Sequence, residues 1–314
     1  MTKTYCPQLW ENITVDNNYN IFSCCHIKPG SFGNIVGSKL ISMINSPEIS
    51  EFRQKSLMGR LECYETCNLI DKNNINLSEK KLTTIKYNDL KGLHINFGEK
   101  CNIACIMCKQ PVRFRYNLNI LNHKILIQNI DLKPFEDIVI QGGEPLFIEE
   151  CRNYLNYLNE VNKRYTLLTN GLLIDHKWAE ILSQGAKVVS ISINAAQKAT
   201  HEYINRGSNF DNLLSNIHKL RSSIAKNKSN TLINGRMTLT VQNLKEIPEF
   251  IASYKKLGFD KINFGFVRKT VPKYLEMHPD FKEQLKTEIN DKLHSATKAE
   301  MDLLRLSQLD LLQS

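Results

Sequence analysis

The 314-residue sequence has no run of about 20 consecutive apolar residues, the length that a helix needs to cross a bilayer. Its opening stretch, Met1 to Trp10, lacks the features of a secretory signal peptide. The eight histidines show neither H-x-H spacing nor the HExxH motif of zinc enzymes. These absences argue against a membrane span, export and a histidine-based metal site, and they predict a cytoplasmic protein.

The sequence also lacks a long block of like-charged residues. The net charge is +9, with its main local excess around Lys219 to Lys228. A nucleic-acid-binding protein usually carries a basic stripe or patch, so nucleic acid is not the expected partner. Nine cysteines is an odd number. Without a secretory signal, that number favours metal ligation over disulfides.

The sequence does contain three closely spaced cysteines. Cys101, Cys105 and Cys108 have the spacing C-x3-C-x2-C and follow a strand-like stretch that begins at Leu93. Cysteine thiolates are the usual ligands of iron–sulfur clusters. Three of them can hold three irons of a [4Fe–4S] cluster and leave the fourth iron open to a substrate or cofactor. Structural zinc more often uses two paired cysteine knuckles, so the triplet favours a cluster.

A second motif follows about thirty residues later, in DIVIQGGEPLF at residues 137 to 147. A β-branched apolar run of strand length stops at Gly142, Gly143, Glu144 and Pro145. Two glycines let a ligand approach the backbone closely. A carboxylate at the end of a strand is suited to accept hydrogen bonds from an ammonium group.

Together these motifs resemble the radical SAM superfamily. In that family the cysteine loop follows the first barrel strand, and the open iron binds the amino and carboxylate groups of S-adenosylmethionine. The GGEP-type motif contacts the methionyl amino group, which the resemblance assigns here to Gly142 to Pro145. The family usually has an aromatic residue before the last cysteine, near the adenine. Here that residue is Met107, which can also pack on an aromatic face.

The resemblance continues in KVVSISINAAQKATHEYINRGSNFDNLLSNI, residues 187 to 217. It is similar to the family segment that binds the sugar and carboxylate of the cofactor. Ser192 matches the serine of an S-I-D-like motif, and Asn194 stands where aspartate is frequent. Arg206, expected on the following helix, would pair with the carboxylate. Without the resemblance, Ser192 would be read as a strand hydroxyl and Arg206 as part of a surface ion pair.

Five further cysteines lie within the first 67 residues, more than packing alone explains. Their order, C…CC…NSPE…R…G…C…C, resembles the SPASM or twitch module of radical SAM enzymes, which carries auxiliary iron–sulfur clusters. Zinc is the alternative occupant. Four ligands would close one auxiliary [4Fe–4S] cluster, and the resemblance implies Cys6, one of Cys24 and Cys25, Cys63 and Cys67.

From Leu93 onward strands alternate with helices, which predicts a parallel α/β architecture. The expected fold is a partial (β/α)6 parallel barrel with a small N-terminal cysteine-rich hairpin-plus-helix module. The motifs fall at the carboxyl ends of strands, where parallel barrels carry their chemistry. The predicted strands are 93–97, 137–141, 164–169, 187–193, 236–241 and 261–267, and the predicted helices are about 149–162, 175–184, 209–225 and 244–257.

The predicted domain organisation has four parts. An auxiliary-cluster module of the twitch/SPASM type occupies residues 1–70, and a polar linker occupies residues 71–91. The radical SAM partial barrel spans residues 92–270, and a helical C-terminal segment spans residues 271–314.

The resemblance implies an enzyme. An electron donor such as flavodoxin or ferredoxin would reduce the cluster, and S-adenosylmethionine would be cleaved to a 5′-deoxyadenosyl radical. That radical would abstract hydrogen from a substrate, for which a peptide or protein is the expected class. No catalytic residue of the protein itself is identified. The alternatives are a non-catalytic iron–sulfur or zinc-binding electron-transfer protein and an RNA-modifying radical SAM enzyme.

Overall fold

The computed structural model describes residues 6–24, 30–61, 82–108, 119–267 and 269–294. Within these ranges the chain forms two compact units. The first comprises the residues up to Lys100 together with 117–143 and 148–165. The second comprises 101–116, 144–147 and the residues from Thr166 onward.

The first unit contains four strands in the order β2-β1-β3-β5. Neighbours β1, β3 and β5 run parallel, and β2 pairs antiparallel with β1. The N-terminal segment therefore adds a strand beside β3, the first strand of the predicted barrel. The strands are β1 (Asn12–Val15), β2 (Ile21–Phe22), β3 (Gly92–Asn96) and β5 (Asp137–Gln141), and the helices are α1 (Gln8–Glu11), α2 (Pro47–Leu57), α3 (His123–Asn129) and α4 (Glu149–Glu160).

The predicted N-terminal hairpin is present, and Asp16 closes its turn. The Asp16 carboxylate accepts hydrogen bonds at 2.9 Å from the backbone N–H groups of Asn18 and Asn20. Short polar side chains stabilise turns in this way. The hairpin begins at Asn12, since Trp10 lies in the short helix α1 that precedes it. The indole ring of Trp10 carries a hydrogen-bond donor, and the Nε1–H donates to the Leu82 carbonyl at 2.8 Å.

Arg53 on α2 connects several segments of the first unit. Its side chain is 1% exposed, and burial lowers its pKa to about 10. The guanidinium donates hydrogen bonds to carbonyl and amide oxygens of three other segments. Neutral acceptors, rather than a carboxylate, therefore satisfy the hydrogen-bond donors of this buried cation. The acceptors are Leu9 O at 2.9 Å, Ile44 O at 2.9 Å, Asn45 Oδ1 at 3.1 Å and Thr83 O at 3.0 Å.

The described end of the predicted linker is bonded to the N-terminal segment. The Ile85 N–H donates to Asn45 Oδ1 at 2.9 Å, and the Lys91 N–H donates to the Glu11 carbonyl at 2.8 Å. With the contacts of Leu82 and Thr83, these bonds hold residues 82–91 against the helices that precede them. Residues 71–81 of the predicted linker lie outside the described residues.

The second unit carries the strands β6, β7, β9 and β10 in that order. β9 is parallel to both β7 and β10. The two-residue strands β4 and β8 pair antiparallel with each other. The strands are β4 (Ala104–Cys105), β6 (Tyr165–Thr169), β7 (Ala186–Ser192), β8 (Asn205–Arg206), β9 (Leu232–Leu239) and β10 (Lys261–Phe266), and the helices are α5 (His176–Gly185), α6 (Lys198–Ile204), α7 (Phe210–Lys226), α8 (Ile247–Ser253), α9 (Thr270–Met277) and α10 (Pro279–Leu293).

The two faces of β9 and β10 differ sharply. Side chains alternate between the faces of a strand. On one face Phe264 packs edge-on against Phe250 of α8, with ring centroids 5.9 Å apart. Phe259 covers Gly235 so closely that a β-carbon on Gly235 would lie 2.9 Å from its ring. Helices thus cover this apolar face, while the residues of the opposite face are mainly polar.

The predicted fold class is confirmed. The six strands β3, β5, β6, β7, β9 and β10 of a mostly parallel α/β arrangement alternate with helices. Some predictions are wrong: β9 begins at Leu232 rather than at residue 236, and α8 covers Ile247–Ser253 rather than about 244–257. Arg206 lies on β8 rather than on a helix. The described part of the predicted C-terminal helical segment forms α9 and α10, and α10 packs on α8. Residues 295–314 lie outside the described residues. No helix in the described ranges is long and apolar enough to span a membrane.

Candidate functional site

The three-cysteine loop begins five residues after β3 and lies in the second unit. Cys101 and Cys105 are half-buried and Cys108 is exposed. The Cys108 N–H donates to the Cys105 carbonyl at 3.1 Å, which closes a tight turn between these two cysteines. Burial raises the pKa of the Cys101 thiol, and the charges of Glu144 and Cys108 raise it further.

Three thiols on one short, partly exposed loop fit the donor set of an iron–sulfur cluster. In the described part of the chain, no three His, Cys, Asp or Glu side chains are grouped tightly enough to hold a single metal ion.

The middle of the cysteine loop is held by β8. Ala104 pairs with Arg206 and Cys105 with Asn205, and the Ile106 N–H donates to the Ile204 carbonyl at 2.9 Å. Arg206 is therefore a backbone neighbour of the loop. Its guanidinium is exposed and has no partner among the described residues, so it is available to a ligand.

A buried polar network holds β8 in turn. Asn194 donates through Nδ2 to Asn205 Oδ1 at 2.9 Å, and Asn205 lies against the buried ring of His201. The His201 ring also contacts the Ile193 carbonyl and the Ser208 hydroxyl. Burial lowers the pKa of His201, so its ring is neutral at neutral pH. Neither Asn205 nor His201 was predicted from the sequence to position the loop.

Asn194 also fixes the end of β9. Its Oδ1 accepts the Thr238 N–H at 2.8 Å, and its own backbone has a φ of 52°. Asparagine tolerates this left-handed conformation better than most residues. Both the oxygen and the nitrogen of its side-chain amide are hydrogen-bonded inside the protein, and only 2% of the residue's surface is exposed. Asn194 therefore stabilises the site through internal hydrogen bonds. Ser192, at the carboxyl end of β7, is half-buried.

Gly142 and Gly143 lie against the chain segment that leads into the cysteine loop. The Gly143 N–H donates to the Gly98 carbonyl at 2.7 Å. A β-carbon on Gly143 would lie 2.4 Å from the carbonyl oxygens of both Glu99 and Lys100, and one on Gly142 would lie 2.9 Å from Gly98 O. The glycines are therefore required by the protein's own backbone, which passes directly over them.

Glu144 is completely buried, and its carboxylate bonds three protein groups. Oε1 accepts the Thr169 hydroxyl at 2.7 Å and the Leu146 N–H at 3.0 Å, and Oε2 accepts the Asn170 N–H at 2.7 Å. Burial raises its pKa to about 6 despite these bonds. A carboxylate has about four acceptor positions, so one remains for a further donor.

Asn170 links this carboxylate to the cysteine loop. Its backbone is held by Glu144, and its Nδ2 donates to Asn102 Oδ1 at 2.7 Å, next to Cys101. Thr169 and Asn170 follow β6, so the carboxyl end of that strand joins the site. Met107 is half-buried in the loop, and Pro145 is buried at the start of a short 3-10 helix.

The structure describes two of the five N-terminal cysteines. Cys6 is buried, and its N–H donates to the Ser56 hydroxyl at 3.0 Å. Cys24 is half-buried just after β2. Cys25, Cys63 and Cys67 lie outside the described residues, so the predicted auxiliary ligand set stays a prediction.

Two family models match the chain. The model described as the Radical SAM superfamily matches residues 95–253, and that described as an iron-sulfur cluster-binding domain (SPASM) matches residues 6–69. The second match confirms the predicted N-terminal position of the SPASM module. The first covers the cysteine triplet, the GGEP motif, Ser192 and Arg206.

Several curated proteins are similar to part of this chain. A GTP 3′,8-cyclase of Peptoclostridium acidaminophilum is 28% identical over 169 residues, 51% of this chain and 50% of the relative. One from Clostridium perfringens is 28% identical over 151 residues, 45% of this chain and 46% of the relative. The chain thus spans about half the length of the curated relatives that it matches.

Among solved structures, Streptococcus suis SuiB bound to the precursor peptide SuiA covers 93% of this chain and 70% of its own, with a TM-score of 0.51 and 15% identity. At that identity the likeness shows the fold alone. The superfamily model covers more than half of the chain and all of the loops described above. The chain therefore belongs to the radical SAM superfamily and is an enzyme that uses a [4Fe–4S] cluster and S-adenosylmethionine.

Proposed function

We propose that Cys101, Cys105 and Cys108 hold the cluster at which S-adenosylmethionine binds. When bound there, the cluster would supply the chemistry of one-electron reductive cleavage of S-adenosylmethionine, by which members of the superfamily remove hydrogen from unactivated carbons. The pairing of Cys105 with Asn205 supports this assignment, because it places the central cysteine on a braced segment.

The first test is Cys105→Ala in the anaerobically reconstituted, reduced protein. It should abolish formation of 5′-deoxyadenosine and lower the iron content by about four per chain. Cys151→Ala is the matched control, because Cys151 is a buried cysteine of α4 outside the loop. If Cys105→Ala still cleaves the cofactor, the assignment fails.

Residues of the same loops are proposed to contact S-adenosylmethionine. Glu144 is proposed to accept one hydrogen bond from the methionyl ammonium, at its remaining acceptor position. Arg206 is proposed to pair with the cofactor carboxylate, Ser192 to contact the ribose, and Met107 to pack near the adenine. Gly142, Gly143 and Asn194 would support this site through the backbone and through β8.

The N-terminal segment is proposed to hold one auxiliary [4Fe–4S] cluster through Cys6, one of Cys24 and Cys25, Cys63 and Cys67. About eight irons per chain after reconstitution would support two clusters. About four irons, together with cofactor cleavage, would assign these cysteines to zinc or to structure. A flavodoxin or ferredoxin is the proposed electron donor, and its addition should replace a chemical reductant in the cleavage assay.

The proposed substrate is a peptide or protein. The observation that carries this proposal is the likeness to SuiB, a protein whose structure holds a precursor peptide and which matches nearly the whole of this chain, SPASM segment included. The test is capture from a displayed random peptide library by the reconstituted enzyme with S-adenosylmethionine. Captured peptides are then incubated under reducing conditions, and a change in peptide mass is expected.

A nucleotide substrate is the second candidate, because the curated relatives are GTP 3′,8-cyclases. Their similarity covers only half of either chain, so it supports shared cofactor chemistry more than a shared substrate. GTP added to the reduced enzyme should therefore leave 5′-deoxyadenosine formation unchanged. Strong stimulation by GTP, with no captured peptide, would replace the peptide proposal.

A further inference from the structure

Arg236 is a charged residue in the interior of a central strand. It is the fifth residue of β9, paired in register with Ser192 of β7 and with Asn263 of β10. Its side chain is half-buried. Arginine is rarely buried in proteins unless it is paired, so this position calls for a physical explanation.

The face on which Arg236 lies follows from strand alternation. Its neighbours Gly235 and Met237 are buried, and Gly235 contacts Phe259 on the helix-covered face. Arg236 therefore lies on the opposite, polar face, together with Asn234 and Thr238.

The guanidinium leans toward the carboxyl ends of the strands. Arg236 is in register with Asn263, but its Nη2 lies 3.1 Å from the position of a β-carbon on Gly265, two residues further along β10. Glycine at 265 leaves the space that the guanidinium occupies. Ser192 ends β7 on the same side, so the cation lies at the end of the sheet where the proposed cofactor contacts are found.

No group in the described part of the chain pairs with this guanidinium. It makes neither a hydrogen bond nor an ion pair there, and burial lowers its pKa without an opposing effect from a nearby carboxylate. The polar neighbours bond one another instead: Asn234 Nδ2 donates at 2.8 Å both to Ser190 Oγ and to Asn263 Oδ1.

A partly buried cation without a partner costs free energy, and binding of an anion offsets that cost. The planar guanidinium fork matches a carboxylate, which it can bind through two parallel hydrogen bonds. A single cation among neutral side chains suits one negative charge better than a chain of phosphates.

We propose that Arg236 binds a carboxylate of the substrate, which in a peptide is an aspartate or glutamate side chain or the C-terminus. This inference rests on the proposed peptide substrate. The other source of a carboxylate is S-adenosylmethionine itself. Arg206, beside the cysteine loop, is already placed to meet that group, so the substrate is the better match for Arg236.

The first arm of the test separates these two sources. Binding of S-adenosylmethionine and of its decarboxylated analogue is measured by equilibrium dialysis against the reconstituted enzyme and its Arg236→Gln variant. Affinities within twofold of the wild type are expected for both probes. Tenfold weaker binding of S-adenosylmethionine, with no change for the decarboxylated analogue, would assign Arg236 to the cofactor and overturn the proposal.

The second arm uses the displayed random peptide library. Peptides captured by the wild-type enzyme should be enriched in Asp or Glu at one position, and Arg236→Gln should lose that enrichment. Against a captured peptide, the variant should bind about 10- to 100-fold more weakly, the effect of a lost charged hydrogen bond. Replacing the acidic residue of the peptide with its amide should cause the same loss in the wild type and no further loss in the variant.

Lys261→Gln is the matched control, since it removes a cation at the other end of β10. Arg236→Gln should unfold no more easily than the wild type, because the lost charge has no partner in the described fold; clear destabilisation would overturn the proposal. Captured peptides without acidic enrichment would also overturn it and leave the peptide function standing. Capture of no peptide at all would overturn both.

Discussion

Replacing Arg53 with methionine should lower the free energy of unfolding of the first unit by about 3 kcal/mol. Asn45 Oδ1 keeps its hydrogen bond from the Ile85 N–H, whereas Leu9 O, Ile44 O and Thr83 O lose the Arg53 donor at a cost of about 2 kcal/mol each. Part of that cost is returned because a buried charge disappears. The lowering of the Arg53 pKa from 12.5 to about 10 corresponds to about 3 kcal/mol of desolvation.

Urea unfolding followed by tryptophan fluorescence measures this effect. The chain has two tryptophans, and in a Trp178→Phe background only Trp10 of the first unit reports. Lys55→Met is the control, since it removes an exposed cation of the same helix whose partner is Glu51. Exposed pairs of this kind contribute about 0–1 kcal/mol. A loss below about 1 kcal/mol for Arg53→Met would refute the view that this cation holds the segments together.

Three further predictions concern the site. Gly143→Ala forces a β-carbon to within 2.4 Å of two carbonyl oxygens, so cluster loading, measured as iron per chain, should fall severalfold; Gly37→Ala, which adds the strain of a positive φ of 77° but meets no neighbour within 4 Å, should retain wild-type iron. Asn205→Ala removes the link between Asn194 and the segment paired with Cys105, so a chelator should strip iron faster; an unchanged rate would contradict a bracing role. The pKa of Glu144 is raised to about 6, so the folded apoprotein binds this proton more tightly than the unfolded chain does. Its contribution to stability is therefore fully present below the ordinary pKa of about 4.5 and falls by about 2 kcal/mol as the pH rises through 6. The difference in free energy of unfolding between the wild type and Glu144→Gln should therefore change by that amount between pH 4 and pH 7. A difference that stays constant over this range would contradict the prediction.

The motif residues of the family combine two tasks in this chain. Glu144 bonds Thr169 and Asn170, and Asn170 reaches Asn102 beside Cys101. The same carboxylate that is proposed to meet the cofactor ammonium therefore also fixes the cysteine loop. A substitution at Glu144 is expected to alter cluster retention as well as cofactor affinity, and only separate measurements of each can divide the two effects.

The sequence alone determined the fold class, the superfamily and the loops that carry the chemistry. Alternating apolar strands and amphipathic helices produce local patterns that are legible without a structure, which is why β5 was predicted to the residue. The cysteine spacing is similarly local, since three ligands of one cluster must come from one short loop.

The contacts of single residues, by contrast, depend on the tertiary structure. The glycine pair was expected to admit a ligand, but the backbone of Gly98 to Lys100 occupies that space. Asn194 and Asn205 meet through folding across a helix. Arg236 was missed because the strand was predicted to begin with it, although an arginine inside a predicted strand of the barrel was a usable signal. Such contacts depend on strand register and on neighbours distant in sequence, and local patterns do not encode either.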